Sequence, residues 1–128
     1  MKPLTLEWIE KAEGVFASAQ REIRARKTPN YDAACFHFQQ RIEKYIKARL
    51  QEADIQFGKI HDLSALLDLV LSVEPFWGPL RPSLRLLSLN AVEFRYPGQA
   101  ADRETAIEAV RLCNKIRKVI RESMNLKL

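Results

Sequence analysis

The sequence predicts an all-α protein that folds as an up-and-down bundle of four to five helices. Three observations predict this class: apolar residues return every three to four positions, only 4 of the 128 residues are glycine, and no segment alternates apolar and polar residues as a strand does. Apolar residues make up 47% and charged residues 29% of the chain, which is typical of folded proteins. At this length we expect residues 1–128 to form a single domain with its own core.

Capping and helix-breaking residues divide this pattern into five helical segments. Asn30, Asp62 and Asp102 each stand just before a periodic apolar run, where their side chains can accept hydrogen bonds from free backbone N–H groups. Pro75 and Gly98 lie in two turns that a helix does not continue through. We therefore expect helices over residues 5–26, 31–53, 63–73, 80–95 and 103–125.

The second segment carries two polar residues, Gln39 and Arg49, on the same side as Phe38, Ile42 and Ile46. A buried arginine needs an anionic partner, because an unpaired charge in the core is costly. The simpler interpretation is that Arg49, one turn from the helix end, extends its aliphatic stem to water. We expect the second arrangement.

The fourth segment is apolar on two sides. Leu84, Leu87 and Ala91 share one side, whereas Leu86 and Leu89 lie on another. A helix with this pattern is either central in the bundle or shared with a partner protein.

The last segment has the clearest charge pattern in a chain of net charge +5. One broad face is apolar, and the opposite face carries Arg111, Lys115, Arg117, Lys118 and Arg121. Arg111, Lys115 and Lys118 stack one above another, so that they could follow a phosphate backbone. A solvated charged face is the simpler interpretation.

Two histidines are candidates for chemistry near neutral pH. His37 falls on the polar side of the second helix with Arg41 and Lys44, and these cations favour a neutral ring that can accept a proton or stack on a base. His61 directly precedes the third helix, where it either supports the cap or faces a cleft.

Arg95 closes the predicted fourth helix beside Tyr96 and a Pro-Gly turn. An arginine in this position is a candidate for binding an anion. It can equally well bond the carbonyl groups that are left free where the helix ends.

Several classes of protein are not expected from the sequence. Cys35 and Cys113 lie on apolar faces, which predicts buried thiols in a reducing cytoplasm, and no Cys/His pair has metal-ligand spacing. No glycine-rich phosphate loop or other common catalytic motif occurs, so we expect no metal and no cofactor. No secretory signal is expected, and the most apolar stretch contains Asp68 and is too short to cross a bilayer.

Three segments, taken in order, resemble the HEPN family of small helical proteins. They are DAACFHFQQRIEKYIKA at residues 32–48, His-Asp-Leu at 61–63 followed by Leu-Leu at 66–67, and Phe-Arg-Tyr-Pro at 94–97. The resemblance implies a compact bundle of four or five helices that commonly dimerises. It also implies a minimal nucleotidyltransferase partner, fused or separate, in toxin–antitoxin-like pairs.

Some HEPN proteins are metal-independent ribonucleases with an Arg-x4–6-His motif, but no arginine lies at that spacing before His37 or His61. The expected function is therefore a binding module, dimeric and cytoplasmic, that docks a nucleotidyltransferase or binds nucleotide or RNA. The alternatives are a ribonuclease that uses Arg95 with His37 or His61, and a purely structural dimerisation protein. The expected ligand-binding residues are Arg95, Tyr96, His37, Lys44, Arg111, Lys115 and Lys118.

Overall fold

The structure, a computed structural model, describes residues 1–93 and 97–128 and, at residues 92 and 93, the backbone alone. Over these residues the chain forms α-helices, one short 3₁₀-helix and no strand, so the all-α prediction is confirmed. The α-helices are α1 (Pro3–Arg24), α2 (Tyr31–Glu52), α3 (Leu63–Val70), α4 (Arg81–Glu93) and α5 (Arg103–Ser123), and the 3₁₀-helix spans Pro75–Leu80.

The three predicted N-caps are confirmed. The side chains of Asn30, Asp62 and Asp102 each accept a hydrogen bond from a backbone N–H in the first turn of the helix that follows, at 3.0, 3.2 and 2.8 Å. These bonds satisfy N–H groups that have no partner within the helix. The starts of α2, α3 and α5 are thus local properties of the sequence.

The first helix begins two residues earlier than predicted because a distant residue caps it. Glu52, at the end of α2, accepts hydrogen bonds from the backbone N–H of Lys2 at 3.0 Å and from the hydroxyl of Thr5 at 2.9 Å. Pro3 occupies the first turn, where the missing N–H of proline costs nothing. The capping partner is 47 to 50 residues away, so no local pattern reveals it.

The helix-breaking segment after α3 is not only a connection, as the sequence suggested, but forms the 3₁₀-helix Pro75–Leu80. This turn places Trp77 in the core, where its indole is 1% exposed. The indole N–H donates to the hydroxyl of Ser123 on α5 at 2.9 Å. The segment therefore ties the middle of the chain to the last helix.

The central element of the bundle is α2, which packs against α1, α3, α4 and α5. It is buried on nearly every side, and its buried residues include Arg41, Glu43 and Lys47. The fourth helix, which the sequence allowed as the central one, buries only one side. Leu86 and Leu89 on its other side are exposed, Leu89 by 57%.

Both cysteines are free and fully buried, as predicted. Burial raises the pKa of each thiol to about 11. Cys35 and Cys113 are therefore protonated at neutral pH, which disfavours their reaction as nucleophiles. No helix in the described part of the chain has the length and apolar character needed to cross a bilayer.

Candidate functional site

A cleft of about 480 Å³, lined by Phe36 and Ala91 as well as by polar side chains, opens between α2, the start of α3 and α4. Its volume lies within the range of small-molecule sites. The polar side chains that line it come from three parts of the sequence and are Gln39, Gln40, Glu43, His61, Asp62 and Ser88.

Two of the lining residues, Glu43 and His61, belong to a chain of three ionisable groups that also includes Lys47. Glu43 and Lys47, one turn apart on α2, form an ion pair of 3.1 Å, and each side chain is only 5% exposed. The same carboxylate oxygen of Glu43 lies 3.0 Å from Nδ1 of His61, whose side chain is 72% exposed. Because a carboxylate can only accept, Nδ1 carries the hydrogen and Nε2 of His61 is left to accept or donate elsewhere.

Lys47 is held in place by aromatic rings as well as by Glu43. Its ammonium lies 5.7 Å from the ring centre of Trp8 and 5.6 Å from that of Phe57, and the two rings contact each other edge to face. Such cation–π contacts replace part of the hydration that the buried ammonium loses. Lys47 therefore holds the Glu43 carboxylate in place, and the oxygen that bonds Lys47 also contacts His61.

Two further side chains define the cleft. Gln39, nearly buried, donates from its amide to the backbone carbonyl of His61 at 3.2 Å and so holds the loop before α3 against α2. Ser88 of α4 has a buried hydroxyl oxygen with no hydrogen-bond partner among the described residues. A buried polar atom without a partner is uncommon, and a bound molecule is one way to satisfy it.

The surroundings predicted for His37 are wrong. Its Nδ1 lies 4.0 Å from a carboxylate oxygen of Glu22 on α1, so an acidic side chain approaches it. Arg41, expected beside it on the solvent face, is instead 1% exposed and bonded within the bundle. The prediction fails because a charged residue on a helix need not face water when another helix supplies its counter-charge.

Lys44 is half-buried on α2 and does not line the cleft. Burial lowers the pKa of its ammonium, Glu43 opposes that shift, and the nearby cations Lys47 and Lys11 add to it. The cleft thus contains His61 but neither His37 nor Lys44.

The stacked cations of α5 are exposed as predicted. Arg111, Lys115 and Lys118 form no ion pair with another residue that the structure describes, although Glu108 and Glu122 lie within one turn of them. Their side chains are therefore free to contact an anion.

Arg117 and Arg121, predicted for the same outer face, are turned inward. They join what we call the arginine cluster, in which the carboxylate of Glu13 on α1 meets three arginines. Glu13 lies 2.9 Å from Arg117 Nε, 3.0 Å from Arg41 Nη2 and 3.6 Å from Arg121 Nη1. It also accepts the hydroxyl hydrogen of Tyr45.

Two pKa shifts follow from this cluster. Burial raises the pKa of Glu13, but hydrogen bonds from Tyr45 and Arg117 and the charges of Arg41 and Arg117 outweigh it, so the pKa of Glu13 is lowered. Burial and the hydrogen bond to Glu13 raise the pKa of Tyr45. Glu13 is thus ionised and Tyr45 neutral at neutral pH.

Arg49 does not extend to water as expected. Its Nε donates to a carboxylate oxygen of Glu74 at 2.7 Å, and both side chains are mostly buried. Glu74 lies in the segment after α3, so only the folded chain brings this partner to Arg49. Arg95 and Tyr96, which were predicted to bind a ligand, lie outside the described residues.

Few of the cleft residues could have been selected from the sequence. The spacing of Glu43 and Lys47 is that of a helical ion pair, which usually lies on the surface. Ser88 and Gln40 carry no signal of their own. Among the described residues, no three His, Cys, Asp or Glu side chains come together in a way that could hold a metal ion.

The five α-helices packed around α2, with the cleft beside it, make this protein a small all-α domain. The family model named HEPN domain matches residues 5–123, and the chain belongs to the HEPN family. The family predicted from the sequence is thereby confirmed. Comparisons with curated proteins and with solved structures gave no significant match.

Proposed function

We propose that this HEPN domain is a binding module for a nucleotide or an RNA strand, with the nucleotide bound in the cleft. One observation carries the proposal: a cleft of suitable size is lined by a histidine fixed through Glu43 and by the unpaired hydroxyl of Ser88. Fixed polar groups that converge in a cleft are typical of ligand sites.

The groups in the cleft suit a base and its sugar. The amide of Gln40 makes no hydrogen bond with the rest of the described chain, and a glutamine amide can pair with an adenine through one donor and one acceptor. Nε2 of His61 can bond a ligand oxygen or nitrogen directly, and the hydroxyl of Ser88, whose oxygen is buried, can do so once its side chain rotates toward the cleft. Adenine nucleotides are therefore the first ligands to test.

The α5 cations offer a path for an RNA strand. At 1.5 Å rise per residue, Arg111 and Lys118 are about 10 Å apart along the helix axis, which suits contact with more than one phosphate. In this proposal the RNA backbone lies along α5, and the contact is electrostatic and independent of sequence.

The cleft is tested with the double substitution Ser88→Ala and Gln40→Ala. Because each lost hydrogen bond is worth about 1 kcal/mol, we expect nucleotide affinity to fall about tenfold or more. Calorimetric titration with adenine nucleotides measures it, and Ser72→Ala with Gln56→Ala, both exposed elsewhere, is the matched control. Equal affinities of the two double variants, or no nucleotide binding at all, contradict the cleft assignment.

The α5 path is tested by titrating the parent protein with a labelled single-stranded RNA over a salt series. Replacing Lys115 and Lys118 by glutamine is expected to reduce the salt slope by about 1.4, since each phosphate contact contributes about 0.7. The control is Lys27→Gln with Lys59→Gln, two exposed lysines off this helix. Recovery of intact RNA in EDTA separates binding from the ribonuclease alternative.

A second proposed function is protein docking through the outer side of α4, where Leu86 and Leu89 are exposed. We propose a second copy of this chain as the occupant, because one helix face can pair with itself across a two-fold axis and the family resemblance implies a dimer. The two leucines then form the apolar centre of a larger, mostly polar contact.

Light scattering at micromolar concentration is expected to show that the parent protein is a dimer. The double variant Leu86→Lys with Leu89→Lys is expected to be a monomer. Leu4→Lys with Leu6→Lys, two exposed leucines of α1, is expected to leave the dimer intact. A monomeric parent protein contradicts self-association. In that case co-purification with a minimal nucleotidyltransferase, lost only in the α4 variant, would assign the same surface to that partner.

A further inference from the structure

We propose that the arginine cluster is a binding site for a phosphate group, separate from the cleft, in which backbone oxygens of residues 127 and 128 occupy the place of the anion. The site is formed by Arg41 of α2 and by Arg117 and Arg121 of α5, and Glu13 of α1 lies at its centre.

The side-chain charges of the cluster do not balance. Three guanidinium groups surround one side-chain carboxylate. The other side chains that they bond are neutral: Asn114, the protonated thiol of Cys113, and Tyr45, whose pKa is raised by burial and by Glu13. Arg41 is buried and the other two arginines are mostly buried. Positive charge that is removed from water and exceeds the side-chain counter-charge is unfavourable, so an added anion is favoured there.

Part of the donor capacity is taken up by the chain itself. After α5 the backbone turns at Asn125, which has a φ of 58°, and residues 126–128 come back toward the helix. Nη1 of Arg117 donates to the backbone oxygen of Leu128 at 3.0 Å, and Nε of Arg121 donates to that of Lys127. These oxygens stand where the oxygens of a phosphate would bond.

The geometry of the two α5 arginines suits a phosphate. Arg117 and Arg121 are one turn apart, so their side chains are neighbours on the helix surface. Guanidinium groups bind phosphate through pairs of parallel hydrogen bonds, and two such groups can grip one anion. Glu13 is partly exposed, so the cluster is open to solvent on that side.

The proposal explains a feature that a purely structural ion pair leaves open. One carboxylate is enough to neutralise Arg41, and that pair already joins α1 to α2. Arg117 and Arg121 bring two more cations to the same carboxylate. Lys118, on the same helix, is exposed to water, so a cation on α5 does not have to pack against Glu13. A site for an anion gives these two arginines a function.

The decisive variant is Glu13→Gln, which removes the competing carboxylate and leaves the three arginines without a counter-charge. We expect it to lower the stability of the protein in chloride and to raise the affinity for inorganic phosphate about tenfold, the equivalent of one charge-assisted hydrogen bond. Thermal unfolding in a phosphate series, against chloride at matched ionic strength, measures both effects. Phosphate should then restore much of the lost thermal stability.

Phosphate also stabilises proteins in general by exclusion from their surface, so a matched variant is essential. Arg117→Gln in the Glu13→Gln background should abolish the specific rescue, whereas Arg24→Gln, which removes the same charge from an exposed position at the end of α1, should retain it. Equal loss in both variants, or equal rescue in both, overturns the proposal.

If Glu13→Gln does not fold, the parent protein still decides the question. Broadening of the phosphorus resonance of inorganic phosphate should be seen with the parent protein and with Arg24→Gln, and lost with Arg117→Gln. A parallel titration of the parent protein and of Arg117→Gln with a short RNA that lacks a terminal phosphate distinguishes a phosphodiester ligand from a free phosphate, because only binding at the arginine cluster is lost in Arg117→Gln. Neither measurement involves Ser88 or Gln40, so the outcome does not depend on whether the cleft binds a nucleotide.

Discussion

Replacing Trp77 by alanine is expected to lower the free energy of unfolding by about 4 kcal/mol, which is a large part of the stability of a typical small domain. The indole is 1% exposed, belongs to the core cluster, and bonds through its N–H to the hydroxyl of Ser123. Alanine leaves a cavity at the junction of the 3₁₀-helix and α5, and a large core cavity cannot close completely. Urea unfolding followed by circular dichroism measures the loss.

The adjacent residue provides the control. Phe76 is also aromatic and lies in the same 3₁₀-helix, but it is 90% exposed. Phe76→Ala should therefore change stability by less than about 0.5 kcal/mol. Ser123→Ala should cost about 1 kcal/mol, because it leaves the indole N–H without its acceptor. Equal effects at positions 76 and 77 would show that the segment does not pack as described.

Replacing Arg41 by alanine is expected to cost about 3 kcal/mol. Its guanidinium is fully buried, pairs with Glu13, and lies 3.4 Å from the ring centre of Phe16. Alanine removes the ion pair, the cation–π contact and the packing of the long stem together. The same urea experiment measures the change.

Arg41→Met separates charge from packing. Methionine fills most of the space of the arginine stem, and Glu13 retains Arg117 and Tyr45, so we expect a loss of about 1 kcal/mol. Arg111→Ala, at an exposed position of α5, should stay within about 0.5 kcal/mol of the parent. If Arg41→Ala is as mild as Arg111→Ala, Arg41 faces water and the arginine cluster does not exist as described.

The helices themselves were predictable because their signals are local. The caps Asn30, Asp62 and Asp102 and the apolar periodicity define where α2, α3 and α5 begin. The start of α1 was not predictable, because its cap is supplied by Glu52 from the other end of α2. The 3₁₀-helix was missed because proline and glycine indicate only that an α-helix stops.

The candidate sites were less predictable than the helices. His61 was identified from its place before α3, but its orientation depends on Glu43. Glu43 is a charged residue, and the sequence gives no reason to expect it to be buried. Arg117 and Arg121 were predicted to join the outer stripe because helical angle alone cannot tell an arginine that faces water from one that reaches Glu13. The long side chains of arginine allow both.

The amino-acid sequence alone is enough to assign the fold class, most helix boundaries and the HEPN family, and the match over residues 5–123 confirms the family. Which charged residues are buried, and which partners they bond, depends on how the helices pack. Periodicity indicates the apolar side of each helix, whereas Arg41, Glu43 and Lys47 are buried because the folded chain supplies a counter-charge to each of them. Those pairings, and not the helices, define the cleft and the arginine cluster.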